Sequence, residues 1–147
     1  MKARQFLTKE EQAEVVAAIM SAERATSGEI RVHIETSCSG DPKLRALRTF
    51  HKLKMTGTAA RNAVLVYVAC DSKRFAVLGD KGINAVVPAG FWKDVVELMG
   101  GFFGKGEYAQ GLINGIGLIG EKLKVYFPYQ SDDVNELPDD ISYGDGE

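Results

Sequence analysis

Apolar residues recur at helical spacing near the start of the chain. They lie on one face of a helix with 3.6 residues per turn: Val15, Val16, Ile19 and Met20. Thr8 and Glu11 have the spacing of a capping box, in which each side chain accepts a hydrogen bond from the backbone of the other residue. Gly28 suits a left-handed turn after the helix. The pattern therefore predicts a first helix between Thr8 and about Thr26.

Three later segments have strand patterns. Residues 29–36 alternate between aliphatic and polar side chains, so one face of this strand is more polar than in a fully buried parallel strand. Residues 63–69 form a continuous apolar run, which predicts a central strand covered on both faces. A turn at 71–73 leads into residues 74–78, which we interpret as a hairpin partner and edge strand.

A second helix is predicted between the first two strands. Asp41 is its N-cap and Pro42 its first residue. Its predicted inner face consists of four residues: Ala46, Leu47, Phe50 and Leu53. Its predicted outer face is basic: Lys43, Arg45, Arg48, Lys52 and Lys54.

Two more helices follow the hairpin. The first has a wide apolar stripe over 91–99, and a glycine-rich bend at 100–106 separates it from the second, which runs over 107–126 until Pro128 closes it. The apolar stripe of the second consists of Tyr108, Leu112, Ile116, Ile119 and Leu123. Its interior glycines are at 111, 115, 117 and 120. Because each glycine costs about 1 kcal/mol relative to alanine in a helix, we expect them to permit close packing.

The order of these elements predicts the fold. Strands joined through a helix are parallel, whereas strands joined by a tight turn are antiparallel. We therefore predict the α/β class: a single-domain, layered α/β/α fold with a small mixed sheet, made of a parallel first pair plus an antiparallel hairpin, and helices on both faces.

Charge divides the chain at about residue 130. Residues 1–130 carry all 18 Lys and Arg together with 13 acids, whereas 131–147 carry seven acids and no base. Such a segment is too charged and too poor in apolar residues to offset its ordering entropy. We predict a domain over 1–130 and a disordered acidic tail over 131–147; the alternative is that residues 136–141 fold back on a basic surface or serve as a docking peptide.

Three segments carry a resemblance to a known family: GDKGINAVVPAGFWKDVVELM at 79–99, SGEIRVHIE at 27–35 and RNAVLVYVA at 61–69. Together they resemble the TPM domain, found in bacterial proteins and in thylakoid proteins linked to photosystem II repair. The resemblance covers nearly the whole chain and implies the same α/β arrangement. Since some relatives are described as phosphatases, it also implies that activity as an alternative function.

Four residues match family features. Asp71 with Arg74 is similar to the acidic turn between the hairpin strands, and Gly79 with Gly82 is similar to the family's glycine pair. In the family the glycines are closer together and an Asp follows them. Here Asp80 lies between the glycines, and we interpret it as a substitute for that Asp.

Several common site types are absent from the sequence. Residues 115–120 read GIGLIG, but this match to the dinucleotide fingerprint lies inside a predicted helix with no strand before it. Neither Cys38 nor Cys70 is followed by arginine at the spacing of a cysteine phosphatase, and His33 and His51 lack metal-ligand spacing. The basic second helix has too few aromatic residues beside it to indicate nucleic-acid binding.

One candidate site remains, at the carboxyl ends of the first two strands. Ligands of open α/β sheets prefer the crevice beyond these ends, and the pattern brings Thr36, Ser37 and Asp71 there, with Asp41 nearby and Asp80 as a further candidate. Oxygen ligands suit calcium or magnesium. Because few carboxylates converge, we expect weak binding of either ion at most and no other cofactor.

The lack of a membrane-spanning run and of a signal peptide decides where we expect the protein to act. It has no apolar run of the ~20 residues that span a bilayer, no signal-peptide core, and only two cysteines, so we expect a cytoplasmic protein without membrane insertion. We expect it to bind an unidentified protein partner and no nucleic acid. The alternative is a metal-assisted phosphomonoesterase that uses the strand-end crevice.

Overall fold

The computed structural model describes residues 1–130 and 135–146. It contains five α-helices in the described residues: α1 (Lys9–Glu23), α2 (Pro42–Lys52), α3 (Lys81–Asn84), α4 (Lys93–Gly104) and α5 (Tyr108–Tyr126). The same described residues form four strands: β1 (Glu29–Ser37), β2 (Ala63–Ala69), β3 (Arg74–Gly79) and β4 (Ile141–Gly146). A 3-10 turn at Ala3–Gln5 precedes α1.

The predicted capping signals act as expected. The Thr8 hydroxyl accepts from the Glu11 N–H at 3.1 Å and the Glu11 carboxylate accepts from the Thr8 N–H at 2.9 Å, which starts α1. Asp41 accepts from the Lys43 N–H at 2.9 Å and starts α2. No helix in the described ranges is long and apolar enough to cross a membrane.

The sheet is mixed, with strand order β3-β2-β1-β4. β1 runs parallel to β2, and β3 runs antiparallel to β2, as predicted. Helices α1, α4 and α5 cover one face, where Ile30, Val32 and Ile34 of β1 are buried. Helix α2 covers the other face, where Phe50 packs in the second core. The layered α/β/α prediction is confirmed.

The C-terminal segment differs from the predicted disordered tail. Its residues 141–146 form β4, which pairs in parallel with the outer edge of β1 and adds a fourth strand to the sheet. Leu137 is buried in the core beneath α2. The composition of the segment did not predict this strand. A segment needs few apolar residues to join a sheet when buried polar side chains of the neighbouring strand, here Glu29 and His33 of β1, bind it. Residues 131–134 and 147 lie outside the described residues.

The glycines of α5 are mostly packing residues. A Cβ at Gly115 would lie 2.6 Å from Met99 Cγ, one at Gly111 2.6 Å from Phe103, and one at Gly120 2.9 Å from Ala22. The prediction of close packing is therefore confirmed at these three positions. Gly117 is exposed with open space beside it, so the prediction is wrong there.

Candidate functional site

The carboxyl ends of β1 and β2 form the crevice that the sequence predicts. The Asp71 N–H donates to the Thr36 carbonyl at 2.8 Å, so the two residues are neighbours across the end of the sheet. Ser37 lies beside them and its hydroxyl donates to the Asp145 carbonyl at 3.4 Å. The first three candidates are therefore brought together by the parallel pairing of β1 with its neighbours.

The N-terminal segment occupies this crevice. The Thr36 hydroxyl oxygen accepts from the Ala3 N–H at 2.9 Å, and the Asp71 carboxylate lies 2.9 Å from the Met1 ammonium. That ammonium hydrogen bond holds the pKa of Asp71 below its usual range. Two of the predicted ligand side chains thus hold protein backbone groups instead of converging on an open ion site.

Asp41 contributes no further ligand, because its carboxylate caps the N-terminus of α2. The Arg74 guanidinium donates to the Gly40 carbonyl and so ties the hairpin to the turn before α2. Across residues 1–130 and 135–146, no group of three or more His, Cys, Asp or Glu side chains is arranged to hold a metal ion.

Asp80 lies at the opposite end of the sheet, which corrects its grouping with Asp71. The Asp80 N–H donates to the carbonyl of Ala63, the first residue of β2, whereas Asp71 comes just after the last residue of β2. Because β3 is antiparallel to β2, it carries the chain back along the full strand, about 20 Å at 3.3 Å per residue.

The residues around Asp80 have a structural role. The Asp80 carboxylate accepts two hydrogen bonds from Arg61, at 2.6 and 2.9 Å, and caps α3 through the Lys81 N–H at 2.7 Å. A Cβ at Gly82 would collide with the Ala60 carbonyl oxygen, so this glycine is required by close backbone approach. The pair Gly79 and Gly82 therefore supports the chain around Asp80 and not the strand-end crevice.

A cavity of about 360 Å³ lies beside the crevice, between the β2–β3 hairpin and the corner joining α4 to α5. Its lining residues on the hairpin side are Val68, Ala69, Cys70, Lys73, Arg74 and Phe75. Those on the other side are Phe6, Gly100, Phe103, Gly104, Gly106 and Tyr108. The lining contains two cations and no acid.

The outward face of α2 is basic and apolar. Leu47 was predicted to face inward with Ala46 and Phe50, but it is 45% exposed, because α2 lies flat on the sheet and only the narrow stripe of Ala46, Thr49 and Phe50 is buried. Leu44 is 64% exposed. Leu47 lines a cavity of about 230 Å³ together with His51 and Lys81.

A buried polar row on β1 was not recognised as a cluster from the sequence, although the alternation over 29–36 was its signal. Glu35 accepts a hydrogen bond from the Tyr67 hydroxyl at 2.5 Å and pairs with Arg45 at 3.2 Å. His33 Nδ1 lies 2.7 Å from the Ser142 hydroxyl, while its Nε2 lies 3.3 Å from Glu35.

The electrostatics of this row favour a structural role. Burial raises the pKa of Tyr67 far above its usual range and lowers that of His33, so both side chains are neutral at pH 7. A Cβ at Gly144 would lie 3.3 Å from both His33 and Glu35, which leaves little room for a substrate above them. The row fastens β4 and α2 to β1.

Similar proteins place this architecture in a family. The sequence model of the protein family described as the TPM domain matches residues 1–122 of this chain. The BA42 protein of the psychrophilic bacterium Bizionia argentinensis has a solution structure that is 47% identical, with a TM-score of 0.89 over 95% of this chain and 96% of that one.

Two more distant solution structures share the fold. The N-terminal domain of the cg2496 protein of Corynebacterium glutamicum is 12% identical, with a TM-score of 0.65 over 87% of this chain and 80% of that one. The N-terminal domain of a protein from P. gingivalis is 18% identical, with a TM-score of 0.66 over 85% and 82%. No protein of curated function matches. The extent of the family match and the 47% identity together show that this chain belongs to the TPM domain family.

Proposed function

We propose that the protein is a cytoplasmic accessory module that binds a protein partner through the outward face of α2. The observation that carries the proposal is the exposure of Leu44 and Leu47, at 64% and 45%, on a helix that contains no acidic residue. Isolated surface leucines are common. Two exposed leucines one turn apart and rimmed by cations form an apolar patch of the kind that marks an interaction site, and Leu47 also lines a cavity.

The geometry of this face favours an acidic, amphipathic partner segment. Leu44, Leu47, Arg48 and His51 follow helical spacing and are all exposed. An apolar side chain of the partner would enter the cavity of about 230 Å³ beside Leu47, where Phe50 and Leu78 supply apolar walls. Acidic side chains of the partner would pair with the cations at its rim.

Charge also favours this partner kinetically. Lys43, Arg48 and Lys52 project from α2, and Lys81 lies across the cavity. Clustered charge of one sign raises the rate of encounter with an oppositely charged partner and makes binding sensitive to salt. We therefore expect binding that weakens as ionic strength rises.

The test uses a synthetic helical peptide with glutamates on one face and leucines on the other. In a chemical-shift titration of the full chain, we expect perturbation of residues 43–52 and 78–84. The double substitution Leu44→Ser, Leu47→Ser should weaken binding at least about tenfold, since truncated central contacts dominate interface energies.

Val125→Ser is the matched control, because Val125 is an aliphatic residue 74% exposed on a different helix. It should bind the peptide as the unsubstituted chain does. Equal binding by the Leu44, Leu47 double variant, or a lysine-bearing peptide that binds as well as the glutamate peptide, would remove the proposal.

The competing function is the metal-assisted phosphomonoesterase. It predicts hydrolysis of 4-nitrophenyl phosphate that needs calcium or magnesium and disappears with Asp71→Ala. Such turnover would make the strand-end crevice the functional site and the α2 face secondary.

A further inference from the structure

The cavity between the β2–β3 hairpin and the α4–α5 corner is separate from the proposed partner-binding face of α2, since no α2 residue lines it. Its volume of about 360 Å³ is at the lower end of the ~300–1,000 Å³ that small-molecule sites occupy. That size suits a guest with one ring and a short polar substituent better than a nucleotide.

Aromatic rings form a continuous wall in this cavity. The Phe6 and Tyr108 centroids are 4.6 Å apart, Tyr108 and Phe103 are 5.7 Å apart, and Phe103 meets Phe75 edge to face at 5.0 Å and 76°. Such rings favour further rings at offset or perpendicular geometry. An aromatic guest would extend the series.

The rim of the cavity is positively charged. Lys73 and Arg74 both line it, and none of its lining residues is acidic. The Arg74 guanidinium donates to the Gly40 carbonyl before α2, so Lys73 is the cation available to a ligand in the cavity. The nearby Asp71 carboxylate is paired with the Met1 ammonium, which reduces its effect on the rim.

Cys70 adds no negative charge to the lining. Burial raises the pKa of its thiol, and the Sγ donates to the Met1 carbonyl at 3.5 Å. The thiol therefore stays protonated at pH 7. The wall is thus apolar and neutral while the rim is cationic.

We infer that this cavity binds an aromatic monocarboxylate, with the ring packed among Phe75, Phe103 and Tyr108 and the carboxylate paired with Lys73. The ring supplies the buried apolar surface, and the carboxylate fixes its orientation through charge-assisted hydrogen bonds.

The test is a chemical-shift titration of the full chain with phenylacetate. We expect saturable shifts at residues 68–75 and 100–108. Phenylacetamide has the same ring without the charge, and it should bind about five- to tenfold more weakly because charge-assisted hydrogen bonds are about twice as strong as neutral ones. Acetate and inorganic phosphate should leave Phe103 and Tyr108 unshifted.

Two variant pairs locate the site. Gly100→Leu fills the cavity, since a Cβ there would lie 3.8 Å from Phe75 Cζ, whereas Gly101→Leu places the same side chain in open space on the same helix. Lys73→Gln removes a rim cation, whereas Lys105→Gln removes an exposed cation that does not line the cavity. The first member of each pair should weaken phenylacetate binding and the second should not.

Several results would overturn the inference. They are the absence of saturable shifts at millimolar phenylacetate, equal affinity for the amide, the same shifts from inorganic phosphate, and equal binding by Lys73→Gln and Lys105→Gln. If Gly100→Leu does not fold, the comparison of Lys73→Gln with Lys105→Gln tests by itself whether phenylacetate binds in this cavity.

Discussion

Glu29 holds the backbone of Leu137. Its Oε1 atom accepts the Leu137 N–H at 2.7 Å and the neighbouring Glu136 N–H at 2.6 Å, across 108 and 107 residues of chain. Glu29 is buried at the start of β1, so the C-terminal segment is attached at the point where it enters the sheet.

Loss of that acceptor should destabilise the fold. We expect Glu29→Ala to lower the free energy of unfolding by about 2–4 kcal/mol, because two backbone N–H groups lose their partner, one of them buried. Urea denaturation measures the change. Glu29→Gln keeps an acceptor oxygen and should lose much less, so equal losses in the two variants would contradict this account.

Stability should fall as the pH rises. Burial and a hydrogen bond to Asp139 raise the pKa of Glu23 to about 9, and burial also raises that of Glu29. A carboxyl group with a raised pKa binds its proton more tightly in the folded state, so its stabilising effect is complete below the unfolded value near 4.5 and is lost as pH rises toward 9.

Glu23 is partly exposed, so solvent screening reduces the effect, and we expect a loss of about 1–3 kcal/mol between pH 5 and 9. Glu23→Gln should flatten this dependence in urea denaturation at the two pH values, whereas Glu14→Gln on the exposed face of α1 should preserve it. If the free energy of unfolding of Glu23→Gln still falls steeply with pH, other titratable groups cause the pH dependence.

The two glycines Gly115 and Gly117 should respond oppositely to substitution. Gly115→Leu should destabilise by about 1–3 kcal/mol because its side chain would overlap Met99. Gly117→Leu meets open space and should gain up to about 1 kcal/mol from helix propensity. Thermal unfolding of both variants provides the comparison, and a stabilised Gly115→Leu would refute the packing.

Divalent ions should bind weakly in the strand-end crevice. A titration with calcium or magnesium should shift residues 36–38 and 71–73 only at millimolar concentration, because Asp41 caps α2 and Asp71 is already paired with Met1. Asp71→Asn should abolish the response. A strong response at residues 79–82 would instead identify Asp80 as the ligand.

Local sequence patterns predicted most of the helices and strands correctly. The grouping of Asp80 with Asp71 in one site was wrong because it did not take the direction of β3 into account. The capping box at Thr8, the Asp41 cap and the buried run at 63–69 each depend on neighbours in sequence, so they could be recognised there. The distance between Asp71 and Asp80 depends on the direction of β3. The antiparallel hairpin was predicted, and it already implies that Asp71 and Asp80 lie at opposite ends of β3.

The C-terminal segment was missed for a different reason. Its polar and acidic composition is typical of disorder, but its partners are buried polar groups on β1, including Glu29 and His33. Attachment through polar groups needs no long apolar run in the C-terminal segment, so its composition did not indicate that it joins the sheet. Leu47 shows the converse case, since an apolar residue at the edge of the predicted inner face remains exposed.

The position of β4 beside β1 has a consequence for how the chain folds. His33 and Ser142 are 109 residues apart, so this half of the sheet closes only after all of the intervening chain has been synthesised. Until then the outer edge of β1 offers unpaired backbone groups to any extended polypeptide nearby. A nascent or partly unfolded molecule is therefore exposed to aggregation along the edge that its own last strand later covers.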